Sequence, residues 1–359
     1  MLKKMNKTTK NNLITYAMVI LAFVIMQILI SAGSISSLLQ GLMVPLCTYI
    51  ILAVSLNLVV GILGELSLGH AGFMCVGAFT SAFFSKCTRD VIASDGLRFF
   101  LALLIGIVTA AIFGMLIGIP VLRLKGDYLA IVTLAFGEII KNMVNVLYIG
   151  KDSNGFHVTT KDVMALNMDA DGTVILNGPQ GITGTPKNST FVIGFILILL
   201  TLFIVQNLIN SRDGRAIMAI RDNRIAAESI GINITKYKLM AFTISAAMAG
   251  AAGVLYAHNI STLTANTNNF GYNMSITILV FVVLGGIGNI RGSIIAAVIL
   301  TLLPELLRGM KDYRMLIYAI VLIVMMLFNW SPKAIEWREK LNDWRKKHFS
   351  FGKKAKEVE

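Results

Sequence analysis

The sequence predicts an all-α fold: a polytopic integral membrane helical bundle of about ten transmembrane helices. Three observations carry this expectation. Hydrophobic residues make up 56% of the 359 residues and charged residues only 14%, against about 25% charged residues in ordinary soluble domains. The mean hydropathy is +0.74. The apolar residues are gathered into runs of about 20, the length that crosses a bilayer core, and short polar links part the runs.

Ten spans are legible: 12–31, 37–61, 66–84, 98–119, 128–148, 190–209, 239–257, 273–290, 292–308 and 315–330. The Lys-rich start lacks a small-residue cleavage site, so 12–31 reads as an uncleaved first span rather than a signal peptide. A short link near Gly64 parts the second and third spans, and Arg123–Asp127 parts the fourth and fifth. A long connection, 149–189, follows the fifth span. It is rich in Gly, Asn, Asp and Thr, with a short β-branched run at Thr173-Val-Ile-Leu that suits a small hairpin. After the sixth span comes a charged island, 210–238, too long for a simple turn. Only Gly288–Arg291 separates the eighth and ninth spans, and a basic tail, 331–359, ends the chain. The whole of 1–359 reads as one transmembrane domain.

The basic residues orient this bundle. With the N-terminus inside, the inner segments hold 22 Lys and Arg and the outer segments 9. That asymmetry is expected of cytoplasmic loops. It predicts an N-in, C-in protein with the island inside and 149–189 outside. The +13 net charge is thereby explained by the membrane, and no nucleic-acid partner is expected. Cys47, Cys75 and Cys87 show no metal-ligand spacing and read as free thiols.

No catalytic motif is present. The sequence contains no G-x-x-x-x-G-K-[ST] and no H-E-x-x-H, so neither a bound nucleotide, a metal nor another cofactor is expected. Two glycine clusters stand out, Gly61–Gly72 and Gly285–Ser293, loosely alike in spacing. Small residues let helices approach closely in lipid. They also let a helix break beside protein or a wet cavity. His70 lies within the first cluster, where a packed histidine and a ligand-binding one are both open readings. Glu138 and Lys141 sit inside the fifth span at i, i+3 spacing, on one face. They read either as a structural ion pair or as groups on a transport path. Glu65, at a link, reads as solvated.

The island carries Arg212, Arg215, Arg221, Arg224, Lys236 and Lys238 against three acidic residues. Written as one helix, it puts Arg221, Arg224 and Glu228 on one stripe and Ala216, Ala219, Ile220, Ala227 and Ile230 on an adjacent face. Asn223 interrupts the apolar face, and Gly231 is placed to stop the helix. Such a segment suits a groove on another protein or the surface of anionic lipid.

Several stretches carry a family resemblance: Leu66-Ser-Leu-Gly-His-Ala-Gly72, Gly126-Asp-Tyr-Leu-Ala-Ile-Val-Thr-Leu-Ala-Phe-Gly-Glu-Ile-Ile140, Asn177-Gly-Pro-Gln-Gly-Ile-Thr-Gly184, Gly214-Arg-Ala, Ala226-Ala-Glu-Ser-Ile-Gly231 and Gly285-Gly-Ile-Gly288. Through them the chain resembles the permease subunits of bacterial branched-chain amino acid ABC importers, the second of the two permeases in particular. Two features depart from the family pattern: Glu65 stands where Gln is more usual, and the 150–180 loop is longer. The resemblance implies a non-catalytic permease of the bacterial cytoplasmic membrane. Its partners would be a second permease subunit, two ABC ATPase subunits and an extracytoplasmic solute-binding protein. It further implies that Arg221, Arg224, Ala226, Ala227, Glu228 and Gly231 belong to the ATPase-coupling segment. Gly69, His70, Gly72, Glu138, Gly285 and Gly286 are the pathway candidates. Permeases for urea, ribose-like sugars or nucleosides share the small-residue patterns and form the nearest alternative. A motor-independent channel or secondary transporter is the alternative of another class, and it leaves the island unexplained.

Overall fold

A computed structural model describes residues 7–33, 36–89, 91–122, 127–169, 172–309 and 313–330. The basic tail 331–359 and most of the Arg123–Asp127 link lie outside these residues. The described chain is dominated by helices: α1 (Lys7–Ser31), α2 (Ser37–Asn57), α3 (His70–Cys87), α4 (Asp95–Val121), α5 (Asp127–Val146), α6 (Phe191–Asn210), α7 (Arg212–Asp222), α8 (Arg224–Ser229), α9 (Ile234–Ala257), α10 (Thr267–Phe270), α11 (Tyr272–Gly285), α12 (Ile290–Leu306) and α13 (Arg314–Trp330). Among the described residues, eight segments are long and apolar enough to cross a membrane. The two other expected spans are α3, of 18 residues, and α13, of 17. Helix α3 carries His70 and Lys86 and is buried along most of its length, so other helices rather than lipid surround it.

The chain divides into two compact units, Met1–Val298 and Ile299–Glu359, with the division inside α12. In the first unit, α2, α3 and α9 form the core, and α1, α4, α5 and α6 display apolar side chains such as Leu21, Val108, Ile139 and Phe203. A membrane protein offers such residues to lipid. Small residues hold the core together. A Cβ on Gly77 of α3 would lie 2.5 Å from the Gly250 Cα of α9, and one on Gly250 would lie 2.4 Å from the Ala110 Cβ of α4. Helices this close gain van der Waals contact, which drives association where lipid is as apolar as the side chains. In the second unit, α13 exposes Leu316, Ile320, Ile323 and Leu327 along its length, and Arg308 pairs with Glu305 at 2.9 Å.

The third span starts later than expected. Helix α2 continues as a π-helical stretch, Leu58–Leu63, which ends on Gly64 at φ +79°. Residues 64–69 are irregular, and α3 begins at His70. Irregular backbone between packed helices needs protein partners. The Leu68 amide donates to Thr133 Oγ1 at 3.0 Å and the Ala71 amide to Ser275 Oγ at 3.2 Å.

The 149–189 connection is structured. Strands β1 (Tyr148–Asp152), β2 (Gly155–Thr159) and β3 (Thr173–Asn177) form an antiparallel sheet in the order β2-β1-β3. The β-branched run at 173–176 is therefore a strand, paired with β1. Strand β4 (Ile182–Thr183) pairs with β5 (Thr262–Leu263). Lys86 donates to the Val174 carbonyl at 2.7 Å, and the Ser189 amide donates to the His258 carbonyl at 3.2 Å. Parts of the segments expected outside, around Lys86, Val174, Ser189 and His258, thus meet one another. Three of the segments expected inside meet as well, and they form the site below.

Candidate functional site

The island is not one helix. Ser211 caps α7, its Oγ accepting from the Gly214 amide at 3.0 Å. A Cβ on Gly214 would lie 2.1 Å from the Leu208 carbonyl oxygen, so only glycine permits the sharp exit from α6. Asn223, at φ −155° and ψ 103°, ends α7 and caps α8 by accepting from the Ala226 amide at 3.1 Å. A residue expected only to interrupt the apolar face instead breaks the helix, because its short amide competes for backbone hydrogen bonds. Gly231, at φ +85°, stops α8 as expected, and Asn233 caps α9.

The break changes which residues face outward. Ile220, Ala227 and Ile234 pack into a small core of the island, with Ile232 and Tyr237 against it. Ala227, 2% exposed, lies inside this core and offers no surface to a partner. Ile230, read onto the same apolar face as Ala227, is 75% exposed, and Ile225, which the helical wheel did not single out, is 81% exposed. Ala226, Glu228 and Gly231 share their exposed surface, while Arg224 is half-buried. Two bare isoleucines on a short charged helix mark an interaction surface better than a lipid-type stripe does.

The island also reaches the broken end of α2. Arg221 Nη1 donates to the Gly61 carbonyl at 3.0 Å, and a Cβ on Gly64 would lie 2.6 Å from Arg221 Cγ. Lys238, 4% exposed, pairs with the Glu65 carboxylate. Glu65 is therefore partnered and half-buried, not merely solvated. Its partner lies 173 positions away in sequence, too far for any local pattern to signal the pairing.

On its other side the α2 end touches the second glycine cluster. Asn57 donates through Nδ2 to Ser293 Oγ at 2.9 Å and accepts through Oδ1 from the Gly288 amide at 2.9 Å. A Cβ on Gly61 would lie 2.4 Å from the Gly288 nitrogen, and one on Gly292 would lie 1.7 Å from the Gly285 oxygen. Gly286 and Gly288 hold φ +93° and +81° in the turn between α11 and α12. The two clusters that looked alike in sequence are packed together. Three segments, 57–65, 221–238 and 285–293, thus form one junction.

The remaining pathway candidates gather elsewhere. Gly69 and Gly72 lie against α5, where added Cβ atoms would come within 2.2 Å of the Thr133 oxygen and 2.7 Å of the Gly137 Cα. His70 is buried and shares a hydrogen bond with Ser55 Oγ at 2.7 Å, which matches the packed-histidine reading. Lys141 donates to Glu138 at 2.5 Å and to Thr267 Oγ1 at 3.2 Å. Glu138 also accepts from the Tyr272 amide at 2.8 Å. A carboxylate at a helix N-terminus is favoured by the helix dipole, so the pair stitches α5 to the start of α11. Among the described residues, no group of three His, Cys, Asp or Glu side chains could hold a metal ion.

Comparison with known proteins adds an independent line. The family described as branched-chain amino acid transport system, permease component, matches residues 37–328. The chain is 36% identical to the high-affinity branched-chain amino acid transport system permease protein LivM of Salmonella typhimurium, over 91% of this chain and 75% of that protein. It is 26% identical to the probable branched-chain amino acid transport permease protein LivM of Methanocaldococcus jannaschii, over 68% of this chain and 74% of that protein. It is 25% identical to the permease protein LivH of Escherichia coli, from a transport system of the same name, over 70% of this chain and 79% of that protein. No solved structure matches the chain.

Proposed function

The chain belongs to the family of branched-chain amino acid transport permease components, and from that premise we propose that it is the membrane-spanning permease subunit of an ATP-driven importer for leucine, isoleucine and valine. The observation that carries this reading is the 36% identity to LivM across 91% of the chain. The weaker similarity to LivH supports pairing with a second permease of the LivH kind. ATP hydrolysis would reside on two separate ATPase subunits, and a solute-binding protein would deliver substrate from outside.

The island is the surface we assign to the ATPase. Ile225 and Ile230 supply an apolar pair, Ala226 permits close approach, and Glu228 accepts charge-assisted hydrogen bonds. The structured 149–189 connection lies at the opposite end and would meet the binding protein. The excess of basic residues at the island end supports placing it in the cytoplasm of a bacterial cell. The channel reading calls for ionisable groups free to line a path, and Glu138 and Lys141 are spent on each other and on Thr267 and Tyr272.

Reconstitution tests the proposal. Vesicles holding this chain, the second permease and the ATPases should accumulate labelled leucine only when ATP and the loaded binding protein are both supplied. Accumulation driven by a leucine gradient without ATP would refute it. Accumulation of a nucleoside or urea in place of leucine would redirect the substrate.

A further inference from the structure

The island and the broken end of α2 each have their own local stops. Gly64 ends the π-helical stretch, and Asn223 and Asn233 cap α8 and α9. The contacts between the two segments are additional to these. Among the described residues two of them are polar: Arg221 on the Gly61 carbonyl, and the Lys238–Glu65 ion pair. The pair is largely withdrawn from water, with side-chain exposures of 6% for Lys238 and 16% for Glu65. Such a pair adds little net stability, because desolvation offsets the attraction, yet separating the partners leaves an uncompensated charge. It resists being pulled apart more than it favours folding. Beyond it, Asn57 fastens the same stretch to Gly288 and Ser293.

We infer that Glu65, Lys238 and Arg221 are positioning residues, a two-point tether that makes the end of α2, and through Asn57 the α11–α12 turn, move with the island. The inference rests on the reading that the island takes the ATPase. It names the route by which a displacement there reaches the membrane helices. The π-helical stretch and the positive-φ glycines at 64, 286 and 288 are the places where the backbone can rotate. π-Helical insertions are frequent at functional sites.

The test uses the full reconstituted complex. E65Q/K238M removes both charges together, so no lone charge is left buried. R221M removes the bond to Gly61 without stripping a buried charge of its partner. Membrane abundance, ATPase co-purification and ATP hydrolysis stimulated by loaded binding protein are measured for each. The tether predicts abundance and co-purification as in the wild type, with stimulation lost in E65Q/K238M and reduced in R221M. Retained stimulation in both variants overturns it. So does a parallel loss of all three readouts, which marks a purely structural pair. If the wild-type chain itself retains no ATPase, the importer reading fails rather than the tether.

Discussion

The side chain of Asn57 bridges to Gly288: its Oδ1 accepts from the Gly288 amide at 2.9 Å while its Nδ2 reaches Ser293. Asn57 is fully buried, and both ends of its amide are satisfied. Asn57→Leu keeps the volume but leaves the Gly288 amide without its acceptor. A buried orphan of this kind costs about 1–3 kcal/mol. Gly61→Ala attacks the same crossing by overpacking, again at about 1–3 kcal/mol. Both variants should melt earlier than the wild type in detergent, as followed by far-ultraviolet circular dichroism, whereas Gly41→Ala should not, since nothing surrounds that position. Equal melting of all three would show that the crossing carries no stability.

The Glu138–Lys141 pair should behave as one unit. Glu138→Gln strands the buried Lys141 charge, and breaking a buried pair costs about 3–5 kcal/mol. Monodisperse yield should fall sharply, and adding Lys141→Met should restore part of it. Normal assembly with abolished uptake in Glu138→Gln would move the pair onto the substrate path.

Topology can be read by thiol labelling of intact cells, with Cys47, Cys75 and Cys87 replaced by serine. A cysteine at Val158, on the exposed face of β2, should label from outside. A cysteine at Ser229 should label only after permeabilisation. Labelling in the reverse order would invert the orientation.

Asp152 organises the β2-β1-β3 sheet. Burial by itself would raise its pKa, but the Asp169 and Asn154 amides and the His157 ring donate to it and hold it below the ordinary carboxylate value. A depressed folded pKa contributes stability above the unfolded value of about 3.9, and that contribution is lost as pH falls through the folded value. Pepsin cleavage within 150–177 should therefore accelerate on acidification. Asp152→Asn should be cleaved faster at the upper end of the range and show a weaker pH dependence. A pH dependence identical to wild type would exclude Asp152 as its source.

The spans, both glycine clusters and the stop at Gly231 were legible because apolar runs and glycines act locally. The junction was not. Glu65 meets Lys238, and Asn57 meets Gly288, across more than 170 positions, and no local pattern encodes such contacts. The island was misread for a different reason. A helical wheel assumes one continuous axis, and Asn223 breaks that axis while capping the next helix. The phase shift moves Ala227 inward and leaves Ile225 and Ile230 bare. Ala227→Trp would consequently disrupt the island's own core rather than block a partner from outside.

The central claim, that this end of the permease receives the ATPase, is tested most directly by co-purification of the ATPase with the Ile225→Glu/Ile230→Glu variant. Both side chains are exposed, so the substitutions strand no buried group and membrane abundance should hold. We predict that the ATPase is retained by the wild type and lost from the variant. Full retention by a variant of normal abundance would contradict the assignment.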